Sequence, residues 1–313
     1  MSLKNESTPR LSLKFGGKSD KGVKASNEDA FTASLPTESS VRKYKGAVAC
    51  IADGVSCSDN AQIASQTAVT SFISDYFSTP DFWTVQQSVS KVIGSINSWL
   101  HQQSRSSQVN SDGYVTTFSA LVVKSHTAHI MHVGDSRIYR LREGELELLT
   151  EDHCYQRGGE SYLTRALGIE GKIDLDYRSL KVHLGDRFIL TTDGVHDVLS
   201  LKKFTQLVSS DFDLEAIAND VVKISLQAGS QDNISCLLVD VDNLPTERID
   251  EVYKDLSSLI IPPALEVGHK LDHFEIKRVL HTGTRSHVYL ARDTHSKVLR
   301  VLKTPSVLSL IHI

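Results

Sequence analysis

Two apolar, β-rich runs, "GAVACIADGV" (Gly46–Val55) and "FILTTDGVHD" (Phe188–Asp197), each close on an Asp-Gly pair. This recurrence constrains the fold more than any other feature of the chain. Asp is a poor strand residue, and a carboxylate at the mouth of a buried strand is costly unless something pairs it. One Asp-Gly step is an ordinary hairpin turn. Two of them, on two separate buried strands, predict strand ends that share a cation.

Further acidic residues stand where an apolar run gives way to a turn: Glu28 and Asp29 in "KASNEDAF", Asp135 in "HVGDSRIY" and Asp232 in "GSQDNIS". Taken singly, each has a plain reading. Glu28-Asp29 is a solvated pair, Asp135 a turn residue bonded to its own backbone, and Asp232 a helix-exit turn. Taken together with Asp53 and Asp193, they suit a hard divalent cation, which prefers carboxylate, carbonyl and water oxygens. Crowded carboxylates repel, and cations relieve the repulsion. If the strand ends converge, the expected product is a two-metal site that activates a water for attack on phosphorus.

The runs between these motifs set the architecture. "NAQIASQTAVTSFISDYF" carries Ile63, Ala64, Ala68, Phe72, Ile73 and Tyr76 at helical spacing, with Asp59 and Asn60 ahead of it as a cap. "TVQQSVSKVIGSINSWLHQQS" repeats the pattern with Val85, Val89, Val92, Ile93, Ile96 and Leu100. Strands follow in "TTFSALVVK", "TAHIMHVGD", "SRIYRLREG" and "ELELLT". After a loop come the strand "GDRFILTTDG", the helix "LEAIANDVVKISLQAG" and the strand "NISCLLVDVD". Two helices, a block of strands, then one more helix and strand is not βαβ alternation. It predicts an α+β arrangement with helices covering antiparallel sheets.

With 40% hydrophobic and 23% charged residues in 313, the chain has the makeup of a globular protein of one large or two smaller domains. A net charge of −4 makes no electrostatic case for nucleic acid. The four cysteines (Cys50, Cys57, Cys154, Cys236) form no CxxC pair and read as small buried hydrophobes, which fits a reducing, cytoplasmic setting. No apolar run approaches the roughly 18 residues of a membrane span. His132 reads as a core histidine. His196, three residues after Asp193, is the histidine best placed for an auxiliary role.

In order, "NEDAF", "ADGVS", "TTFSALVV", "HVGDSRIYRL", "LTTDGVHDVL" and "QDNISCLLV" resemble the metal-dependent protein phosphatase (PPM, type 2C) family over about Leu11 to Val241. The resemblance implies a four-layer αββα sandwich of two antiparallel sheets flanked by helices. It also implies two Mn²⁺ or Mg²⁺ ions. Asp53 would bridge them, with the Gly54 carbonyl on one, Glu28 near that ion through water, and Asp29 orienting the water. Asp193 and Asp232 would hold the other ion, and Asn233 would support the Asp232 loop. Asp135 matches the position of a third, weaker ion.

Three departures from the family pattern stand out. Lys24 replaces an arginine that grips the substrate phosphate; it keeps the charge and loses the bidentate fork. Val55 replaces a histidine proposed elsewhere as the general acid, so water must protonate the leaving group. "GYVTT" replaces a smaller Gly-Met-Gly-Thr-Thr, with Thr116 and Thr117 read as packing residues.

Beyond residue 245 the pattern changes. Residues 246–270 read as a linker with a short helix. Residues 271–307, "LDHFEIKRVLHTGTRSHVYLARDTHSKVLRVLKTPSV", resemble the opening strands of a protein-kinase domain. Gly283 and Val288 fall at its glycine-rich loop, and Lys303 at its phosphate-pairing lysine. Together with "TAHIMHVGDSRIYRLREGELELLTEDH", this resembles the bifunctional protein-serine/threonine kinase/phosphatases. The fragment stops before any "HRD" or "DFG", so it is expected to be a truncated, β-rich N-lobe that cannot transfer phosphate. Residues 1–10 read as a polar tail. Residues 308–313, "LSLIHI", read as a non-native scar.

The sequence thus predicts a phosphatase of phosphoserine and phosphothreonine proteins, with a phosphoprotein substrate and an intramolecular kinase domain as partners. The rival is a catalytically weak module that binds phosphoproteins beside a kinase, mildly favoured by Lys24. An anchor in a C-terminal continuation is left open.

Overall fold

The computed structural model describes residues 9–55, 58, 60–106, 113–157, 160–247 and 263–306. The polar tail (but for its last two residues), Cys57, Asp59, most of the expected linker and the "LSLIHI" stretch lie outside the described residues. The chain divides into two units, 1–247 and 248–313.

The first unit runs β1 (Ser12–Asp20), β2 (Asp29–Ser34), α1 (Ser39–Lys45), β3 (Ala47–Asp53), α2 (Ala61–Ser78), α3 (Val85–Ser106), β4 (Phe118–Lys124) and β5 (Thr127–Val133). It continues through β6 (Arg137–Arg142), β7 (Glu145–Leu148), β8 (Cys154–Arg157), β9 (Glu160–Leu163), β10 (Asp176–Lys181) and β11 (Arg187–Thr191). It ends with α4 (Asp193–His196), α5 (Leu201–Val208), α6 (Leu214–Gln227) and β12 (Ile234–Asn243). One sheet has the order β10-β5-β4-β3-β2, the other β1-β12-β11-β6-β7. Every pairing in both is antiparallel.

β3 explains the layering. Alternate residues of a strand point to opposite faces. Val48, Cys50 and Ala52 enter a core with Phe72, Tyr76, Ile93 and Leu100 of α2 and α3. Ala47, Ala49 and Ile51 enter a second core, between the sheets, with Phe188, Leu190, Leu237 and Val239. A third core sets Ile189, Cys236 and Leu238 against Phe204 of α5 and Ile217 and Val221 of α6. Strands buried on both faces read as continuous apolar runs, as "AVACIA" does. Each fully buried aliphatic side chain here contributes about 1.5–3 kcal/mol.

Several local expectations are corrected. The stretch between "ELELLT" and "GDRFILTTDG" is not all loop: it holds the β8–β9 hairpin and β10, the edge strand of the first sheet. Ile63 is exposed, so α2 uses Ala64, Ala68, Phe72 and Tyr76 as its buried stripe. Asn60 stands at the N-cap position of α2 but its side chain makes no cap bond. Cys154 is only partly buried, unlike Cys50 and Cys236.

The second unit is a four-stranded antiparallel sheet of β13 (Lys270–Leu271), β14 (Phe274–Thr282), β15 (Ser286–Asp293) and β16 (Leu299–Pro305). Its small core joins Leu265, Ile276, Tyr289 and Ala291. The Leu265 N–H donates to Tyr289 Oη (3.0 Å), which ties residues of the expected linker into this unit.

Candidate metal centre

Antiparallel strands bring beginnings and ends to one edge. Asp29 opens β2 and Asp53 closes β3, and the two are paired directly across the strands. Asp135 lies in the turn that carries the chain from β5 in one sheet to β6 in the other. Asp193 follows β11 through Thr192, and Asp232 precedes β12 with Asn233 between them. β11 and β12 are antiparallel neighbours, so the end of one meets the start of the other.

Neither Asp-Gly step is a hairpin turn. Each glycine is a place where another backbone presses in. A Cβ on Gly54 would lie 2.4 Å from the Ala61 carbonyl oxygen and 2.9 Å from that of Glu28. A Cβ on Gly194 would lie 2.1 Å from the Asn233 carbonyl oxygen. The Gly54 N–H also donates to the Glu28 carbonyl (3.2 Å). Overpacking of this kind costs about 1–3 kcal/mol or more. Gly54→Ala is therefore expected to lower the urea midpoint clearly; a midpoint equal to wild type would refute the close approach.

Asn233 joins the segments that carry the acids. Its Nδ2 donates to the Lys21 and Ser26 carbonyls (2.9 Å each), and its Oδ1 accepts from the Glu28 N–H (2.8 Å). Asp29 Oδ2 accepts from the Thr192 and Ser235 hydroxyls (2.9 and 2.7 Å). Lys24 Nζ lies 2.6 Å from Asp232 Oδ1.

The carboxylates interact strongly. Burial, then the charges of Asp29, Asp193, Asp135 and Asp232, push the Asp53 carboxyl well above the usual range. Burial first, with neighbouring acids adding, pushes Asp29 up to about 7 and Asp193 to about 8. Burial raises Asp135 to about 6. Two buried oxygens, Asp29 Oδ1 and Asp193 Oδ1, have no hydrogen-bond partner among the described residues. Buried polar atoms without partners are rare and costly, and an all-oxygen set of this charge fits Mg²⁺ or Mn²⁺. No three of the described His, Cys, Asp or Glu side chains are gathered into a ready cage.

Two residues read as packing turn out to hold Asp53. Its N–H donates to Thr117 Oγ1 (2.9 Å), and its carbonyl accepts from Thr116 Oγ1 and the Thr117 N–H (2.8 Å each). Thr117 Oγ1 lies 2.7 Å from Ser136 Oγ, beside Asp135. Ser119 Oγ bonds the Ser136 carbonyl (3.1 Å) and lies 2.8 Å from His132 Nδ1. Thr117→Val leaves buried groups unpaired and is expected to cost about 1–3 kcal/mol in urea unfolding. Thr117→Ser should recover most of that; equal loss in both would deny the hydroxyl its role.

His132 is buried, as expected of a core histidine, and burial lowers its pKa to about 4. His196, expected in an auxiliary role, lies 3.2 Å from Thr191 Oγ1, and burial lowers its pKa to about 3, so its ring is neutral at neutral pH.

Residues 16–238 match the family model of protein phosphatase 2C. The chain belongs to that family. The serine/threonine phosphatase stp of Listeria monocytogenes serotype 4b is 28% identical over 214 residues, 62% of this chain and 84% of that protein. The serine/threonine protein phosphatase PstP of Mycobacterium tuberculosis is 26% identical over 250 residues, 74% of this chain and 45% of that protein. Among solved structures, the Streptococcus agalactiae serine/threonine phosphatase superposes with a TM-score of 0.66 at 23% identity, covering 74% of this chain and all of that one. The catalytic domain of PstP in complex with two manganese ions gives 0.61 at 24% identity, covering 74% and 99%. Both likenesses show that the first unit has the protein phosphatase 2C fold.

Proposed function

We propose that this protein phosphatase 2C chain hydrolyses phosphoserine and phosphothreonine in phosphoproteins and that it works with two Mn²⁺ or Mg²⁺ ions. The observation that carries this reading is the convergence of Asp29, Asp53, Asp193 and Asp232 from four strand ends, with two buried carboxylate oxygens left unpartnered among the described residues. Asp53, the Gly54 carbonyl and Glu28 would hold one ion. Asp53, Asp193 and Asp232 would hold the other, and Asp135 would offer a third, weaker position. When bound, the ions supply the positive charge that activates water and neutralises phosphoryl oxygens.

The chain's own side chains do the rest. Asp29, fixed through Oδ2 by two hydroxyls, keeps Oδ1 for orienting the attacking water. Lys24, whose ammonium lies 2.6 Å from Asp232 Oδ1, supplies a positive charge for the substrate phosphate. Val55 and the neutral His196 offer no proton, so the leaving alkoxide takes one from solvent. Both buried cysteines, Cys50 and Cys236, have thiol pKa values raised by burial, which speaks against a thiolate nucleophile.

The second unit we read as the opening strands of a protein kinase, which would make a kinase domain an intramolecular partner. In support, Gly283 lies in the β14–β15 turn, and Val288 and Lys303 are paired across β15 and β16 on one face of the sheet. Among the described residues, no helix is long and apolar enough to cross a membrane. A cytoplasmic setting remains our expectation from the cysteines.

The test is hydrolysis of p-nitrophenyl phosphate and of a phosphothreonine peptide, with Mn²⁺ and with chelator. Activity on both that needs Mn²⁺ is expected. Turnover that survives chelation, or tight peptide binding with no turnover at any Mn²⁺ concentration, would overturn the reading, the latter in favour of the binding module.

A further inference from the structure

The loop that precedes β2 is locked to the turn that precedes β12. Asn233 accepts from the Glu28 N–H and donates to the Lys21 and Ser26 carbonyls. Gly22, at φ +59°, has the Asp232 carbonyl oxygen where its Cβ would be, at 2.4 Å. These contacts hold the two backbones together and leave Lys24 Nζ within reach of Asp232 Oδ1, at 2.6 Å. Both side chains are only partly exposed, 26% and 36%, where ionic contacts are less screened than at the open surface. Glu28 and Asp53 also act on the same ammonium.

We propose that Lys24 is the stand-in cation for Asp232: it pairs with that carboxylate when no divalent ion does, and a divalent ion taken up at Asp232 displaces its ammonium towards the substrate phosphate. The inference rests on the proposed function and deepens it. An ammonium and a divalent ion on one carboxylate repel each other, so the two compete. A phosphate dianion is the complementary partner for an ammonium that has lost its carboxylate. Cation uptake and phosphate capture are then linked through one side chain. No covalent change is involved; the carboxylate changes partner and the lysine keeps its proton.

Removing the ammonium must therefore move two affinities in opposite directions. In Lys24→Met, calorimetric titration is expected to show Mn²⁺ binding about tenfold tighter than wild type. Inhibition of p-nitrophenyl phosphate hydrolysis by inorganic phosphate, at saturating Mn²⁺, should be about tenfold weaker. Lys24→Arg keeps the charge and should hold Mn²⁺ affinity near wild type while binding phosphate at least as well. A residue that merely supports the loop would weaken both affinities when removed. Changes in the same direction, or no change in Mn²⁺ affinity in Lys24→Met with a melting curve like wild type, would overturn the proposal. Should Lys24→Met fail to fold, Lys24→Gln serves in the same titrations. Wild-type protein that binds no Mn²⁺ would instead overturn the proposed function itself.

Discussion

Asp53→Asn is expected to abolish Mn²⁺-dependent hydrolysis while leaving the metal-free protein at least as stable as wild type. Asp53 feels four other carboxylates in addition to its own burial. Neutralising it removes repulsion from the folded state. Its backbone bonds to Thr116 and Thr117 do not involve the carboxylate and survive. Charge stabilisation by a metal site is worth several kcal/mol, so kcat/KM should fall by at least about 10³. Asp193→Asn should behave alike, through the other ion. The check is p-nitrophenyl phosphate kinetics beside thermal melts in chelator. Activity within tenfold of wild type in both variants would remove the basis for the two-ion reading. Loss of activity together with a much lower melting point would mean that Asp53 is structural.

The second large effect is on stability, and its sign follows from proton counts. Stability changes with pH as the difference in protons bound by unfolded and folded chains. Asp29 and Asp193 titrate near 7 and 8 in the metal-free fold, far above an unfolded carboxylate near 4. Between those limits the folded chain holds more protons, so stability falls as pH rises. His132 and His196 act in the opposite sense. Their folded pKa values, about 4 and 3, lie below the unfolded value near 6.5, so they cost stability only as pH drops under 6.5. Above pH 6.5 the carboxylates dominate, and the buried thiols of Cys50 and Cys236 add to the same trend near pH 8.5. From pH 6.5 to 8.5 the metal-free protein should lose on the order of 2 kcal/mol, or about 5 °C in melting temperature. Mn²⁺ should raise the melting point most at the alkaline end and flatten the dependence. A metal-free melting point that climbs from pH 6.5 to 8.5 would contradict the raised carboxyl values.

What could be read from the sequence follows from how strongly each element is constrained. β3 is buried on both faces, so its composition announces it. α3 shows its spacing because Val85, Val89, Val92, Ile93, Ile96 and Leu100 are all buried. β10 was missed because only one side chain in two or three turns inward on an edge strand: Tyr177 and Leu180 are partly covered and the rest face solvent. Ile63 misled because a lone exposed isoleucine looks the same in a helical pattern as a buried one. The acidic residues were legible as types at strand ends. That Asp29 and Asp53 face each other depends on register, and the Lys24–Asp232 pair depends on two loops meeting from opposite ends of the domain. Neither is local. Thr116 and Thr117 read as packing residues near the site because a hydroxyl beside a core strand has no periodic mark; only the carbonyl and N–H of Asp53 reveal its use.

The pairing of Asp29 with Asp53 has a consequence for folding fidelity. A strand shifted by one residue turns all its side chains to the opposite face. With β2 and β3 in register, Phe31 joins Ile51 between the sheets, and Ala30 joins Ala52 on the side of α2 and α3. A slip would move Phe31 under the helices and draw Asp29 off the rim at once. An ion held at Asp53, with Asp29 beside it for the water, would favour the chain whose hydrophobic layers are already sorted. Ion binding would thereby reward one alignment of the sandwich and leave its misaligned competitors unstabilised.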